Sequence, residues 1–399
     1  MPCKPQKARI LLKQNKAEVV KLTPFTIQLT KATGEAKQPI ILGVDSGYNY
    51  IGLSAVTNIA ELYAVEIMLR TDIVKLLSEC RMYRRNRRNK LWYRPARWQN
   101  RRRPEGWLTP SIQHKFDTHL KAIANVCKIL PVTKIVVEVG NFDVQKIKNP
   151  DISGVEYQKG KQLNFYNIRE YIFHRDSHKC QHCKGKSKDN ILNVHHLISR
   201  QTGGDRPDNL ITLCKTCHNK LHRGEIKLKA KISKGYKAET FMSAVRWKLI
   251  NTLKEQYSNV YHTYGYITKH NRIKHDISKS HINDAFVIAG GSNQDRTCRY
   301  LIKQVRKQNR KLHKGARSHI KNTAPRYIKG FKRYDKVLYN GQECFIFGRR
   351  STGYFDLRKL DGTKIHASAN YKKLKLLERA TTLLIERKEV CHSSSPTRG

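Results

Sequence analysis

Acidic residues are scarce in this chain of 399 residues: 31 Asp and Glu stand against 79 Lys and Arg, a formal charge of +48. That excess is far beyond what solubility needs. It suits a polyphosphate partner, whose condensed counterions are released as cationic side chains neutralise phosphates. A membrane surface would attract the same charge, but two further absences argue against it. No uninterrupted apolar run is long enough to span a bilayer, and the N-terminus has no signal-peptide core, so a soluble intracellular protein is expected. A disulfide framework is also missing: of ten cysteines, six stand singly, while Cys180, Cys183, Cys214 and Cys217 form two close pairs that point to metal. No internal repeat is visible, and the length exceeds one typical core, so two or more domains are expected.

From Ala8 to Thr30 the chain mixes Lys with Ile, Leu and Val and ends in the alternating Phe25-Thr-Ile27-Gln-Leu29, which predicts a short helix and then a strand in a small basic module. Ile40-Ile-Leu-Gly-Val44 is a buried-strand run ending at Asp45, Gly47 permits a turn, Tyr50 to Val56 returns, and Glu61 to Ile67 supplies a third strand. Residues 81 to 103 then carry eleven Arg or Lys and no acid, interleaved with Tyr83, Trp92, Tyr93 and Trp98. A solvated basic helix or a localisation signal is the plainer reading. Guanidinium groups alternating with aromatic rings are nevertheless what phosphate clamping and base stacking require. The candidate nucleic-acid contacts are Arg81, Arg84, Arg85, Arg87, Arg88, Arg94, Arg97, Arg101, Arg102 and Arg103, with Pro95 and Pro104 breaking the helix. Lys134 to Val139 is a further strand in which Glu138 asks for a partner. Helices are expected over 240 to 257 and after His281-Ile-Asn-Asp284. The last third reads as hairpins with Asn340-Gly341 and Asp361-Gly362 turns, and the tail from His392 is too polar to pack.

Cys180-x-x-Cys183 and Cys214-x-x-Cys217 present four thiolates as two clips, the donor set of a closed structural zinc site that staples the segment between them. Inside that frame lie Val194-His195-His196, Gly203-Gly204, Asn209-Leu210 and Cys217-His218-Asn-Lys-Leu-His222. This constellation resembles the HNH nuclease motif. The resemblance implies a ββα element gripping one Mg²⁺ or Mn²⁺, with His195 and His218 as metal ligands, His196 as general base and Asn209 orienting the loop. His222 lies one helical turn beyond His218, and its spacing alone leaves open whether it coordinates.

Asp45, Glu138 and Asp284 are far apart in sequence, yet each bounds an apolar element, and three converging carboxylates can hold two hard cations about 4 Å apart for phosphodiester hydrolysis. By spacing alone such acids are as readily turn formers. Ile41-Leu-Gly-Val-Asp45-Ser-Gly, Ile135-Val-Val-Glu138 and His281-x-x-Asp284-Ala, however, resemble the three pieces of a split RuvC nuclease of RNase H-like fold, with the HNH inserted before the third piece. Pro24-Phe-Thr-Ile-Gln28, Phe142-Asp-Val-Gln145, Ile152-Ser-Gly-Val-Glu-Tyr157, Lys329-Gly-Phe-Lys-Arg-Tyr-Asp335 and Phe347-Gly-Arg-Arg350 extend the likeness over nearly the whole chain, and it is nearest to the IscB family, transposon-encoded relatives of type II CRISPR effectors.

The resemblance implies an α/β multidomain protein. It has a small N-terminal domain (1-39), RuvC pieces I (40-69), II (121-160) and III (229-300), and an arginine-rich bridge helix region (70-120). It also has an HNH domain with its zinc site (161-228), a C-terminal antiparallel β module (301-390) and a disordered tail (391-399). The chain begins at Met1-Pro2, without the first half of the family's Pro-Leu-Met-Pro motif, which reads as a truncated or misassigned start. Asp45, Glu138 and Asp284 would ligate two Mg²⁺, aided by His281. The HNH site would cut the guide-paired strand of a duplex DNA and the RuvC site the displaced strand. Arg349 and Arg350 would belong to the module that meets a short flanking DNA motif. The implied partner is a long structured guide RNA, the omega RNA, in a prokaryotic cytoplasm beside the nucleoid, and base pairing then reads sequence while the protein holds backbone. Two other readings fit part of the pattern. A guide-free HNH homing or restriction endonuclease would explain the zinc and the His pair, and a non-enzymatic RNA-binding scaffold would explain the charge and aromatics.

Overall fold

The computed structural model describes residues 3–32, 38–89, 102–140, 145, 152–157, 160, 162–198, 204–228, 236–306 and 325–388. Two compact units emerge, Met1–Asn141 with Phe241–Gly399, and Phe142–Thr240. In chain order the first unit opens with α1 (Pro5–Lys13) and a β1 (Ala17–Lys21)–β2 (Thr26–Leu29) hairpin, two strands where the alternation predicted one. There follow β3 (Ile41–Ser46), β4 (Tyr50–Val56), β5 (Glu61–Met68), α2 (Ile73–Asn89), α3 (Pro110–Cys127) and β6 (Lys134–Val139). The second unit holds α4 (Ile168–Arg175), β7 (Leu192–His196), β8 (Leu210–Cys214) and α5 (Lys215–Arg223). The chain then forms α6 (Lys237–Gln256), β9 (Val260–Tyr264), α7 (Gly265–Lys274), α8 (His281–Ile288) and β10 (Arg299–Gln304). Six further strands close it: β11 (Lys336–Tyr339), β12 (Gln342–Arg349), β13 (Tyr354–Arg358), β14 (Lys364–Asn370), β15 (Lys375–Glu378) and β16 (Leu383–Lys388).

Seven strands of the first unit form one mixed sheet in the order β16-β10-β5-β4-β3-β6-β9. β3, β4 and β5 are an antiparallel meander, while β6 and β9 add in parallel on the β3 side. Strand alternation sorts the side chains between two faces. Ile40, Leu42, Val44, Ile51, Leu53, Ile135 and Val137 are fully or almost fully buried in one core with Phe116, Ile123 and Val126 of α3 and Phe241, Leu249 and Leu253 of α6. Each such aliphatic side chain contributes roughly 1.5–3 kcal/mol on burial. The opposite parity, Gly43, Asp45, Gly52 and Glu138, faces the other way, where Phe286 and Val287 of α8 and Ala289 just after it pack with Val56.

Strands β14-β13-β12-β11-β15 form the expected separate antiparallel sheet around Val337, Cys344, Ile346, Phe355 and Leu357. Two details differ from the expected boundaries. The stretch 70-120 holds α2 and the start of α3, and α3 belongs to the core because its Phe116, Ile123 and Val126 recur at helical spacing. β16, assigned to the C-terminal module, pairs antiparallel with β10 at the edge of the large sheet. The tail 391-399 lies outside the described residues, and among those described no helix is long and apolar enough to cross a membrane.

Candidate active sites and metal centres

In the Phe142–Thr240 unit, β7 and β8 pair with His195 opposite Ile211 and His196 opposite Leu210. α5 starts at once after β8, its N-cap Cys214 sulfur accepting from Cys217 N at 3.5 Å, and stops at Gly224, whose φ of 78° needs a residue without a Cβ. This ββα element gathers ligand nitrogens of His195, His218 and His222 within 4.8 Å of one another. His218 Nε2 and His222 Nε2 are 3.3 Å apart. Two ring nitrogens so close either share a proton or aim two lone pairs at one cation. Burial first, then the neighbouring imidazoles, lowers the His195 and His218 pKa values, which favours the neutral, ligating form. The set fits a divalent cation, and imidazole nitrogen suits a first-row transition ion better than Mg²⁺. His222, left open by its spacing, is thus gathered with the two expected ligands.

His196 points elsewhere. Its Nε2 lies 2.8 Å from Asp205 Oδ1, an arrangement in which Nε2–H donates to the carboxylate and Nδ1 keeps its lone pair for a proton. Asn209 is completely buried, and its side chain ties the intervening loop: Nδ2 donates to Ile198 O and to Gly204 O, both at 2.9 Å, and Oδ1 accepts from Ile198 N at 2.7 Å. Asp205 was not singled out from sequence. Its position directly after Gly203-Gly204 was the available signal.

The sulfurs of Cys180, Cys183, Cys214 and Cys217 also lie within 4.8 Å of one another, with Cys183 and Cys214 at 3.9 Å. Tetrahedral Zn–S bonds of about 2.3 Å set sulfurs roughly 3.8 Å apart, so the four thiols fit zinc.

The other unit brings the three carboxylates toward one end of the large sheet. β3 and β6 run parallel with Val44 opposite Val137, so the next residues along, Asp45 and Glu138, stand side by side on the α8 face. Ser46 Oγ donates to Glu138 O at 2.6 Å and ties the two strand ends together. Ser280 caps α8, accepting from Asn283 N at 3.1 Å, which starts the helix at His281. Gly43 and Gly52 let α8 lie directly on the strands: a Cβ on Gly52 would collide with the His281 carbonyl and one on Gly43 with that of Ala285. His281 Nδ1 consequently sits 2.6 Å from Asp45 Oδ2, its ring stacked on Tyr50 at 5.2 Å. Asp284, one turn on, pairs with Arg272 Nε of α7 at 3.1 Å. Arg272 carried no sequence signal.

Adjacent carboxylates repel when nothing lies between them. Burial, followed by the charges of Asp45 and Asp284 and opposed by a hydrogen bond from Thr268, pushes Glu138 up to about 7. Burial and Asp45 likewise raise Asp284, while the Asp45 hydrogen bond raises His281. Such an all-oxygen donor set fits hard divalent cations. Behind the site, buried Lys115 of α3 donates to Tyr48 O and lies 3.3 Å from the Tyr48 ring centre, clamping the turn after Asp45.

Of the expected nucleic-acid contacts, Arg81, Arg84, Arg85 and Arg88 are exposed on α2, and Arg102 and Arg103 are exposed beyond it, Arg103 lying 4.0 Å over Trp107. The side chain of Arg87, and all of Arg94, Arg97 and Arg101, lie outside the described residues. Arg349 donates to the carbonyls of Pro325, Arg326 and Phe331 and so braces a loop, whereas Arg350 is exposed.

Residues 1–160 match the model of the RRXRR protein family, and α2 contains the run Arg84-Arg85-Asn86-Arg87-Arg88 that spells its name. Residues 180–224 match the HNH endonuclease model. Over 55 residues, 13% of this chain and 68% of the relative, the sequence is 42% identical to anaredoxin of Nostoc sp.. Among solved structures it is similar to Streptococcus thermophilus Cas9 in complex with the AGAA PAM, with a TM-score of 0.32, 15% identity, 46% of this chain and 26% of that chain covered. A second Cas9 structure, with the AGGA PAM, gives a TM-score of 0.30, 14% identity and the same coverage. The chain spans about a quarter of the length of those structures. An RRXRR segment is thus followed by an HNH endonuclease domain, and the two matches together support an IscB-like, HNH-containing nuclease.

Proposed function

We propose that the protein is an RNA-guided, metal-dependent DNA endonuclease with two active sites, one built on imidazoles and one on carboxylates. The carrying observation is the pairing of Asp45 with Glu138 on adjacent parallel strands beneath His281 and Asp284, in a unit separate from the His195–His218–His222 cluster. Three antiparallel strands continued by parallel ones support an RNase H-like, split RuvC reading of the large sheet, with α2 as the bridge helix. The guide-free HNH reading leaves this carboxylate group without a purpose.

In the HNH site, His195, His218 and His222 hold one Mg²⁺ or Mn²⁺. His196, with Asp205 fixing its tautomer, accepts at Nδ1 the proton of the attacking water, and Asn209 keeps the loop in place. In the RuvC site, Asp45, Glu138 and Asp284 would hold two Mg²⁺, and His281, oriented through Nδ1 by Asp45, handles a proton at Nε2. Bound divalent cations supply charge neutralisation at the scissile phosphate. The four cysteines hold zinc and staple the HNH fold. The HNH site cuts the guide-paired strand and the RuvC site the displaced strand. A long structured omega RNA supplies the guide, and the C-terminal module reads a short flanking DNA motif.

The test is to sequence the RNA that copurifies, then add it with Mg²⁺ or Mn²⁺ to plasmids carrying a matching target and randomised flanks. Flank-dependent linearisation that needs the RNA is expected, with His196→Ala and Asp45→Ala each leaving a nickase on opposite strands. Cutting without RNA would establish the guide-free enzyme instead, and loss of all cutting in either variant would end the two-site reading.

A further inference from the structure

A cleft of about 570 Å³ opens at the carboxylate end of the large sheet and belongs to neither metal centre. Strand register fixes its face. Asp45 is opposite Gly52, Tyr50 stands two residues before Gly52 and opposite Met68, and Met68 is level with Lys303. Asp45, Tyr50, Met68 and Lys303 therefore all project to the α8 side. Tyr50 is the shared wall: it lines the cleft, and its ring stacks on that of His281, whose Nδ1 meets Asp45. Arg333 and Tyr334, from the loop before β11, line the cleft with Arg70, from the loop between β5 and α2.

Little in the cleft cancels its positive charge. Asp72 is its one carboxylate among the described residues, and it is already held by Arg70, through Nε at 2.9 Å and Nη2 at 3.0 Å. That fork fixes Arg70, whose side chain is only 13% exposed, and leaves Nη1 uncommitted among the described residues. Arg333 Nε is buried without a partner among the same residues. Asp335, two positions on, is taken by Arg379 Nη1 and by the backbone N–H groups of Lys332 and Ala380. A guanidinium sunk this far without a counter-charge costs free energy that a bound anion would recover.

We infer that this cleft holds a backbone phosphate, with its nucleotide, of the DNA strand cut at Asp45 and Glu138, a short way along from the scissile bond. Guanidinium groups match phosphate oxygens, and a volume in the range of single-ligand pockets admits one nucleotide but not the width of a duplex. Three strand spacings separate β3 from β10, roughly 15 Å, which puts the held phosphate within about three nucleotides of the cut. A phosphate contact positions a strand without reading its bases, as a guide-programmed enzyme needs there. The inference rests on the two-site reading and names how the carboxylate site grips its strand.

Deleting charge on either partner tests it in the full chain. The strand whose cutting Asp45→Ala abolishes is labelled, and a neutral methylphosphonate replaces its phosphates one at a time near the cut. In the wild type, one position in that window should slow this strand roughly 10- to 150-fold. Arg333→Gln should slow the all-phosphate strand as much, and at that position the two changes together should slow it no further than either alone. Arg333→Lys, which keeps the charge, should recover most of the rate, and cutting of the other strand in the same tube should be unchanged. Equal slowing of both strands, or methylphosphonate effects that persist undiminished in Arg333→Gln at every position, would overturn the assignment. In metal-free buffer, single-stranded DNA should protect Arg333 from phenylglyoxal. Arg333 left reactive, or protected only by guide RNA, would overturn it as well. If Asp45→Ala left both strands cut, the two-site reading would fail while the protection experiment still judged the cleft.

Discussion

Glu138 carries the clearest pH signature. Its folded-state pKa of about 7 stands above the ordinary 4.5, so the folded chain holds this proton more tightly than the unfolded one. The stability it contributes is complete below about 4.5 and is lost as pH rises through about 7. Metal-free protein should therefore melt at lower temperature as pH is raised through that window, and Glu138→Gln should flatten the loss by about 1–3 kcal/mol at the alkaline end. Scanning fluorimetry in chelator measures this, and parallel profiles for the two proteins would contradict it. Asn209 gives a second residue-scale expectation. Removing three hydrogen bonds from a fully buried amide by Asn209→Ala should cost the HNH unit roughly 2–4 kcal/mol and stop guide-paired-strand cutting while sparing the other strand. The proposed ligands were nominated in the sequence because each sits in a local motif: His195 beside His196, His218 after Cys217, Asp284 after His281. The residues that steer them were not. Asp205 meets His196, and Arg272 meets Asp284, through loop and helix geometry that leaves no periodic trace.

At the scale of elements, the carboxylate site depends on how closely α8 approaches β3 and β4. Gly52→Ala puts a methyl group into the His281 carbonyl and must lift the helix. It should separate His281 from Asp45 and lower displaced-strand cutting at least 100-fold, since displacements near 1 Å carry penalties of that order. Guide-paired-strand cutting is the internal control, and an unchanged rate on both strands would remove the argument. The four-cysteine clip acts likewise on α5. Stripping zinc with a strong chelator, or Cys180→Ser with Cys183→Ser, should unfold the Phe142–Thr240 unit alone and abolish only the HNH cut. Metal analysis is expected to find one zinc per chain in the untreated protein. Short apolar runs announced β3, β4 and β6, and turn dipeptides announced the hairpins after Lys336. The β1–β2 hairpin and the return of β16 were hidden, the first because its apolar side chains, Val19, Val20 and Leu29, stay exposed. The second was hidden because the whole five-stranded sheet separates it in sequence from its partner β10.

Over the whole molecule, the charge of +48 should make affinity for the proposed guide RNA a function of salt. Each phosphate contact contributes about 0.7–0.9 to the logarithmic slope, so replacing Arg81, Arg84, Arg85 and Arg88 of α2 with Gln should flatten the slope for the guide RNA by roughly 3. Filter binding across a salt series tests this, and an unchanged slope would move the RNA off α2. The way the large sheet closes has an engineering consequence. Gln304 and Leu383 are direct register partners, so everything between them leaves and re-enters the sheet at one point. An Asn-Gly splice across that point would turn β10 and β16 into an ordinary two-residue hairpin. The five-stranded module thereby leaves and rejoins the chain of the large sheet at one point. Leu360 also ties it there, donating from N to Glu386 of β16 and accepting from Lys303 Nζ of β10 inside the buried Val305–Phe345–Leu384 cluster, so an exchanged module must keep that plug to leave the sheet closed.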